Sequence, residues 1–259
     1  MKLVTICAVA ALSAPAAGFA ASAFDGTWKF GIDHFQPSKK PMILVLNKDA
    51  FACPSCSFEP TVKPDGAEHP IKGDPNVDSG SASVSDAQVT LNLKLGGKMV
   101  QTIKYTIAAD GKTMEIEDTS MYASEPTIYK QMYTRVGEAT PGLHALSGSW
   151  RLTKMVSASG PGVMMKYGMT EDGFTWSSSG QSYDAKFDDK TYPVKGDPTK
   201  TMVNVKKVSD TEVIETDSQL GKTVETYDMK VSADGKSLHF VDTLAHGHQV
   251  SQYSMTKMP

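Results

Sequence analysis

At 259 residues with a formal charge of −3, the chain is long enough for two domains. Its mild acidity and scattered lysines exclude nucleic acid and anionic membrane surfaces as natural partners. No segment approaches the roughly 20 consecutive apolar residues that a membrane-spanning helix needs.

Met1 to Ala23 carries one early lysine, Lys2, then an apolar stretch from Leu3 to Leu12, then small residues ending in Ala21-Ser22-Ala23. That layout is a cleaved secretory leader, with cleavage expected after Ala23 and Ala20 as second choice. The mature chain is therefore expected to be exported, periplasmic or extracellular. In such an oxidising compartment its two cysteines, Cys53 and Cys56, are expected to pair as a disulfide.

Beyond the leader the chain is written twice. Gly26-Thr27-Trp28 returns as Gly148-Ser149-Trp150, and Pro70-Ile71-Lys72-Gly73-Asp74-Pro75 as Pro193-Val194-Lys195-Gly196-Asp197-Pro198. Val84-Ser85-Asp86 and Ala109-Asp110-Gly111-Lys112 return in the same order as Val208-Ser209-Asp210 and Ala233-Asp234-Gly235-Lys236. The repeats span 24–136 and 147–259, with 137–146, containing Pro141-Gly142, reading as the linker.

Alternation with a period of two dominates each copy, as in Val89-Thr90-Leu91-Asn92-Leu93-Lys94-Leu95, and helical spacing is nearly absent. Asp65-Gly66, Gly96-Gly97, Asp110-Gly111, Leu220-Gly221 and Asp234-Gly235 mark tight turns. In the first copy, strands are expected near 26–35, 41–48, 50–59, 61–72, 81–94, 98–108, 112–121 and 127–136. Sequential hairpins leave two open edges, and closing the sheet on itself removes them. The expected fold is all-β: two tandem antiparallel up-and-down barrels of about eight strands each.

The opening Gly-x-Trp of each copy, followed at the far end by Arg135 in Tyr133-Thr134-Arg135-Val136 and Lys257 in Met255-Thr256-Lys257-Met258, resembles the signature of lipocalins and related calycin barrels. The duplicated form is similar to exported bacterial proteins that carry such repeats. The resemblance implies that each copy joins its own first strand to its own last. Arg135 would then close the barrel over Trp28, and Lys257 over Trp150.

The features that carry chemistry are few. Cys53-Pro54-Ser55-Cys56 has redox spacing but no helical run beside it, and Trp176-Ser177-Ser178-Ser179 replaces it in the second copy, so a local structural disulfide is favoured over redox or metal chemistry. His246-Gly247-His248, with His239 nearby, offers too few imidazoles for a metal and reads as a solvated loop. Met164, Met165 and Met169 read as core or pocket lining. The Lys-Gly-Asp-Pro copies read first as turns and second as a rim contact to ligand. Adjacent acids such as Glu117-Asp118 and Asp188-Asp189 face opposite ways on a strand and make poor catalytic pairs.

A barrel of this size holds side chains or one small ligand. The leading expectation is non-covalent binding of a small apolar or amphipathic molecule lined by Trp28, Tyr105, Trp150 and Tyr227, with no catalytic residue, metal or cofactor assigned. Two alternatives stand beside it: an envelope protein with filled barrels, and a thiol oxidoreductase acting through Cys53 and Cys56.

Overall fold

The computed structural model describes residues 21–56, 61–123, 125–245 and 250–259. Most of the expected leader, and the His246-Gly247-His248 loop, lie outside the described residues.

The first half of the chain forms β1 (Gly26–Gln36), β2 (Met42–Leu46), β3 (Phe51–Ala52), β4 (Thr61–Val62), β5 (His69–Pro70), β6 (Ser79–Ser85), β7 (Gln88–Leu95), β8 (Lys98–Ile107), β9 (Thr113–Ser120) and β10 (Thr127–Val136). The second half forms β11 (Gly148–Ser159), β12 (Met164–Met169), β13 (Gly173–Ser178), β14 (Gln181–Lys186), β15 (Tyr192–Pro193), β16 (Met202–Ser209), β17 (Glu212–Gln219), β18 (Lys222–Val231), β19 (Ser237–Leu244) and β20 (Val250–Lys257). These build two nearly closed antiparallel barrel-like sheets of 10 strands each, where about eight were expected. The added strands arise where a turn divides a segment read as continuous. Asp65 accepts the Ala67 amide at 3.0 Å and Gly66 takes φ +78°, which parts β4 from β5; Asp86-Ala87 parts β6 from β7.

The strand order corrects the expected closure. One sheet runs β4-β3-β2-β11-β10-β9-β8-β7-β6-β5 and the other β14-β13-β12-β1-β20-β19-β18-β17-β16-β15. The two copies have exchanged their opening strands: β11 lies between β2 and β10, and β1 between β12 and β20. Residues 137–146, read as a linker between barrels, join β10 to β11 inside one sheet. The reason is local. Both opening strands carry the same Gly-x-Trp pattern and fit either slot, and the short connection after β10 makes a hairpin with β11 cheaper in loop entropy than a return to β1. Strand β1 then fills the slot left in the other sheet.

Inward-facing residues of each sheet form a core. The first barrel packs Leu44, Phe51, Leu91, Met114 and Trp150; the second packs Phe24, Trp28, Phe174, Met229 and Leu238.

Candidate functional site

The tryptophan and cation at the barrel seams meet across the exchange. Arg135 lies over Trp150, its guanidinium carbon 4.1 Å from the ring centroid, and the Lys257 ammonium lies 5.1 Å from the centre of Trp28. The expected partners, Trp28 for Arg135 and Trp150 for Lys257, are thus interchanged. Both indoles are fully buried, and each donates its Nε1–H at 2.8 Å to a backbone carbonyl four residues earlier, Trp28 to Phe24 and Trp150 to Leu146. Arg135 also donates to the carbonyls of Gly111 and Ser147, at 2.8 Å each, and to that of Ala145. The glycine of each Gly-x-Trp is needed twice over. Gly26 and Gly148 have φ of +135° and +136°, and a Cβ would come within 2.9 Å of Lys257 Cε and 2.6 Å of Arg135 Nη1.

These closures are packed core. Tyr105 is likewise buried, its ring 5.6 Å from that of Phe51. Of the four expected lining residues, only Tyr227 faces the principal cavity, which has a volume of about 650 Å³ and lies where the two barrels meet. Met165 lines it too, as does Cys56, whose disulfide to Cys53 is formed. No α-helix flanks that disulfide among the described residues, so the usual source of a lowered thiol pKa is missing there.

Both copies of the Lys-Gly-Asp-Pro turn reach the cavity, through Asp74 and Asn76 from one and Asp197 and Thr199 from the other. Asp74 accepts the Asn76 amide at 2.8 Å, and Asp197 accepts the amides of Thr199 and Thr201 at 2.9 Å, which fixes each bend. Gln219, at the end of β17, ties the barrels together: its Nε2 donates to Asn76 Oδ1 at 3.0 Å and to the Thr199 and Thr201 hydroxyls at 2.9 and 3.0 Å. The repeated motif is therefore both a turn and part of the rim.

The second barrel supplies most of the aromatic wall. Trp176 stacks on Tyr183 at 5.7 Å, Phe240 stacks on Tyr253 at 4.6 Å, and Tyr227 meets Phe240 edge-on. Against this wall the second barrel places acids. Glu215 and Asp217 project from β17 on the face that also carries Val213, and the register sets Asp217 opposite Glu225 and Asp242 opposite Tyr227. Tyr183 donates its hydroxyl to Glu215 Oε2 at 2.5 Å. Asp217 pairs carboxyl to carboxyl with Glu215, and Asp242 with Glu225, while the buried Oδ1 of each aspartate is reached by no amide, hydroxyl or basic donor among the described residues. Burial raises the Glu215 carboxyl to about 7. Burial, then the negative charges of Glu215 and Glu225, raises Asp217 to about 9; burial and Glu225 do the same for Asp242.

The first barrel is an internal control for this chemistry. Its register pairs Val89 with Tyr105, Leu91 with Ile103 and Leu93 with Gln101, where the second pairs Val213 with Met229, Glu215 with Tyr227 and Asp217 with Glu225. The fold thus accepts leucine at both places where β17 carries an inward acid. Asp242 does have a counterpart, Asp118, but there Gln101 donates to both carboxylate oxygens, at 2.9 and 3.0 Å. Sequence reasoning missed Glu215, Asp217, Asp242 and Tyr183. For Glu215 and Asp217 the signal was present in the repeat itself, as acids standing at leucine positions.

No family model, curated protein or solved structure matches this chain.

Proposed function

We propose that this is an exported, lipocalin-like protein that binds a small amphipathic molecule non-covalently in the cavity where its barrels meet. One observation carries the reading: the cavity of about 650 Å³ falls within the 300–1,000 Å³ range of small-molecule sites, and its wall mixes aromatic rings with a few polar groups. The leader-like N-terminus supports export, since such segments direct secretion. The filled-barrel alternative draws support from the core of the first barrel, where Leu91, Tyr105, Met114 and their neighbours pack together. Thiol exchange has no comparable support.

The test is titration with N-phenyl-1-naphthylamine, a neutral apolar dye that brightens on leaving water. Its emission is expected to rise on binding wild type and to stay near background with Ile103→Trp. Ile103 lines the cavity, and the second copy holds Tyr227 at the same place, so the fold tolerates a large ring there. Equal enhancement in both proteins, or none in either, refutes the reading.

A further inference from the structure

The cavity's charge is one-sided. Four of its lining residues are acids, namely Asp74, Asp197, Glu215 and Asp217, and among the described lining residues none is lysine, arginine or histidine. Buried carboxyls in folded proteins ordinarily carry a basic or amide partner, because an unpaired buried charge costs several kcal/mol. Asp118 in the first barrel follows that rule through Gln101. In the second barrel the corresponding acid, Asp242, pairs with Glu225, and Asp217 with Glu215, so acid meets acid and neither Oδ1 receives a basic or amide donor among the described residues.

The copies separate the demands of the fold from those of the site. Leu91 and Leu93 show that a barrel-like sheet of this sequence needs no acid at these positions, so Glu215 and Asp217 are a cost to folding that the second barrel bears. The aromatic residues follow the same division: Ile103 becomes Tyr227, and Ile116 becomes Phe240. Carboxyls that share a cavity with tyrosine and tryptophan rings offer an organic ammonium both ion pairing and cation–π contact. A metal ion is a poorer match. Among the described residues no three His, Cys, Asp or Glu side chains are set to hold one.

We propose that the ligand is an organic cation: an amine with an apolar, ring-sized body that lies against Trp176, Tyr227 and Phe240 while its ammonium group is held by Glu215 and Asp217. This inference rests on the cavity reading above and adds the ligand's charge to it. In the free protein the carboxyls share and retain protons, since burial and their mutual repulsion both raise them. The arriving ammonium replaces those protons as the counter-charge, so binding releases protons and tightens as pH rises. The groups that share in this titration are Glu215 and Asp217 on β17 and Asp242 on β19, with the Glu225 side chain of β18 facing them. Tyr183 contributes the hydroxyl bound to Glu215, and Asp74 and Asp197 face the acids from the rim.

Three indoles of nearly the same shape test the proposal by calorimetry on the full mature chain: tryptamine, a cation; tryptophol, neutral; and indole-3-propionate, an anion. Tryptamine is expected to bind at least ~10-fold more tightly than tryptophol, the equivalent of ~1.4 kcal/mol, and indole-3-propionate more weakly than either. Its affinity is expected to rise from pH 6 to pH 8, with proton release seen as heats that differ between phosphate and Tris buffers. Glu215→Gln with Asp217→Asn is expected to bring tryptamine down to the tryptophol level and leave tryptophol unchanged. The same result is expected of Glu215→Leu with Asp217→Leu, which copies the first barrel. Binding of naphthylamine dye to either variant verifies an intact cavity. Equal affinity for tryptamine and tryptophol, or a preference that survives both double variants, overturns the cation inference. Tryptamine failing to bind while the neutral dye binds overturns it alone; failure of both overturns the cavity reading as well.

Discussion

Raising the pH from 5 to 7.5 is expected to destabilise this protein, against the behaviour of most acid-poor cores. The cause is the carboxyl group inside the second barrel. In the unfolded chain an aspartate ionises near 3.9, whereas burial and neighbouring charges hold Asp217 and Asp242 near 9 and Glu215 near 7 in the folded state. The folded state therefore binds more protons than the unfolded one throughout this window. The contribution is fully present below about pH 4 and is lost as pH rises through the folded values. If the cluster as a whole retains just one extra proton, the loss is ~1.4 kcal/mol per pH unit, or ~3.4 kcal/mol from pH 5 to 7.5. That is a large part of the 5–15 kcal/mol typical of a domain. Exposed acids such as Asp65, Glu68 and Asp188, lowered by hydrogen bonds from His69, Lys94 and Lys190, act at the acid end, below this window. The assay is the guanidinium midpoint and slope at pH 5, 6, 7 and 7.5 at constant ionic strength. Glu215→Leu with Asp217→Leu is expected to flatten the dependence and raise stability at pH 7.5. Stability that is constant or rising across the window in the wild type refutes the reasoning.

The remaining predictions concern the exchanged strands and one turn. A fragment of residues 42–159 contains β2 through β11 in unbroken order and is expected to unfold cooperatively in urea, whereas 42–136, without β11, is not; indistinguishable melts would contradict the exchange. Arg135→Leu loses a cation–π contact and donation to three carbonyls, for ~2–4 kcal/mol by thermal unfolding. Lys257→Leu loses a more distant ring contact and a single 3.3 Å donation to Ala23, so it is expected to cost about half as much or less; the reverse ranking would show that the seams are held otherwise. Leu220 is 78% exposed at φ +51°, where the first copy has Gly96 at φ +58°, so Leu220→Gly is expected to stabilise by ~1 kcal/mol in urea. A loss of stability there would refute the strain argument.

The sequence by itself determined the composition of the sheets. Alternation of period two and paired turn residues mark most strands, because a pleated backbone sends successive side chains to opposite faces whatever surrounds them. Duplication was equally plain, and so was the Gly-x-Trp seam with its cation, whose glycine is demanded by positive φ and the passing side chain. Only the tertiary structure decided which opening strand enters which barrel. Gly26-Thr27-Trp28 and Gly148-Ser149-Trp150 are interchangeable as local patterns, and the choice depends on how cheaply β10 reaches its neighbour. The site follows the same division. Glu215 and Asp217 belong to a run, Glu212-Val213-Ile214-Glu215-Thr216-Asp217, in which either face of β17 might have been the wet one. Pairing Val213 with Met229 settles that face as inward, and with it turns two ordinary acids into buried ones. Even the cavity has no local code, since its wall is assembled from strands and turns of two barrels that lie far apart in the chain.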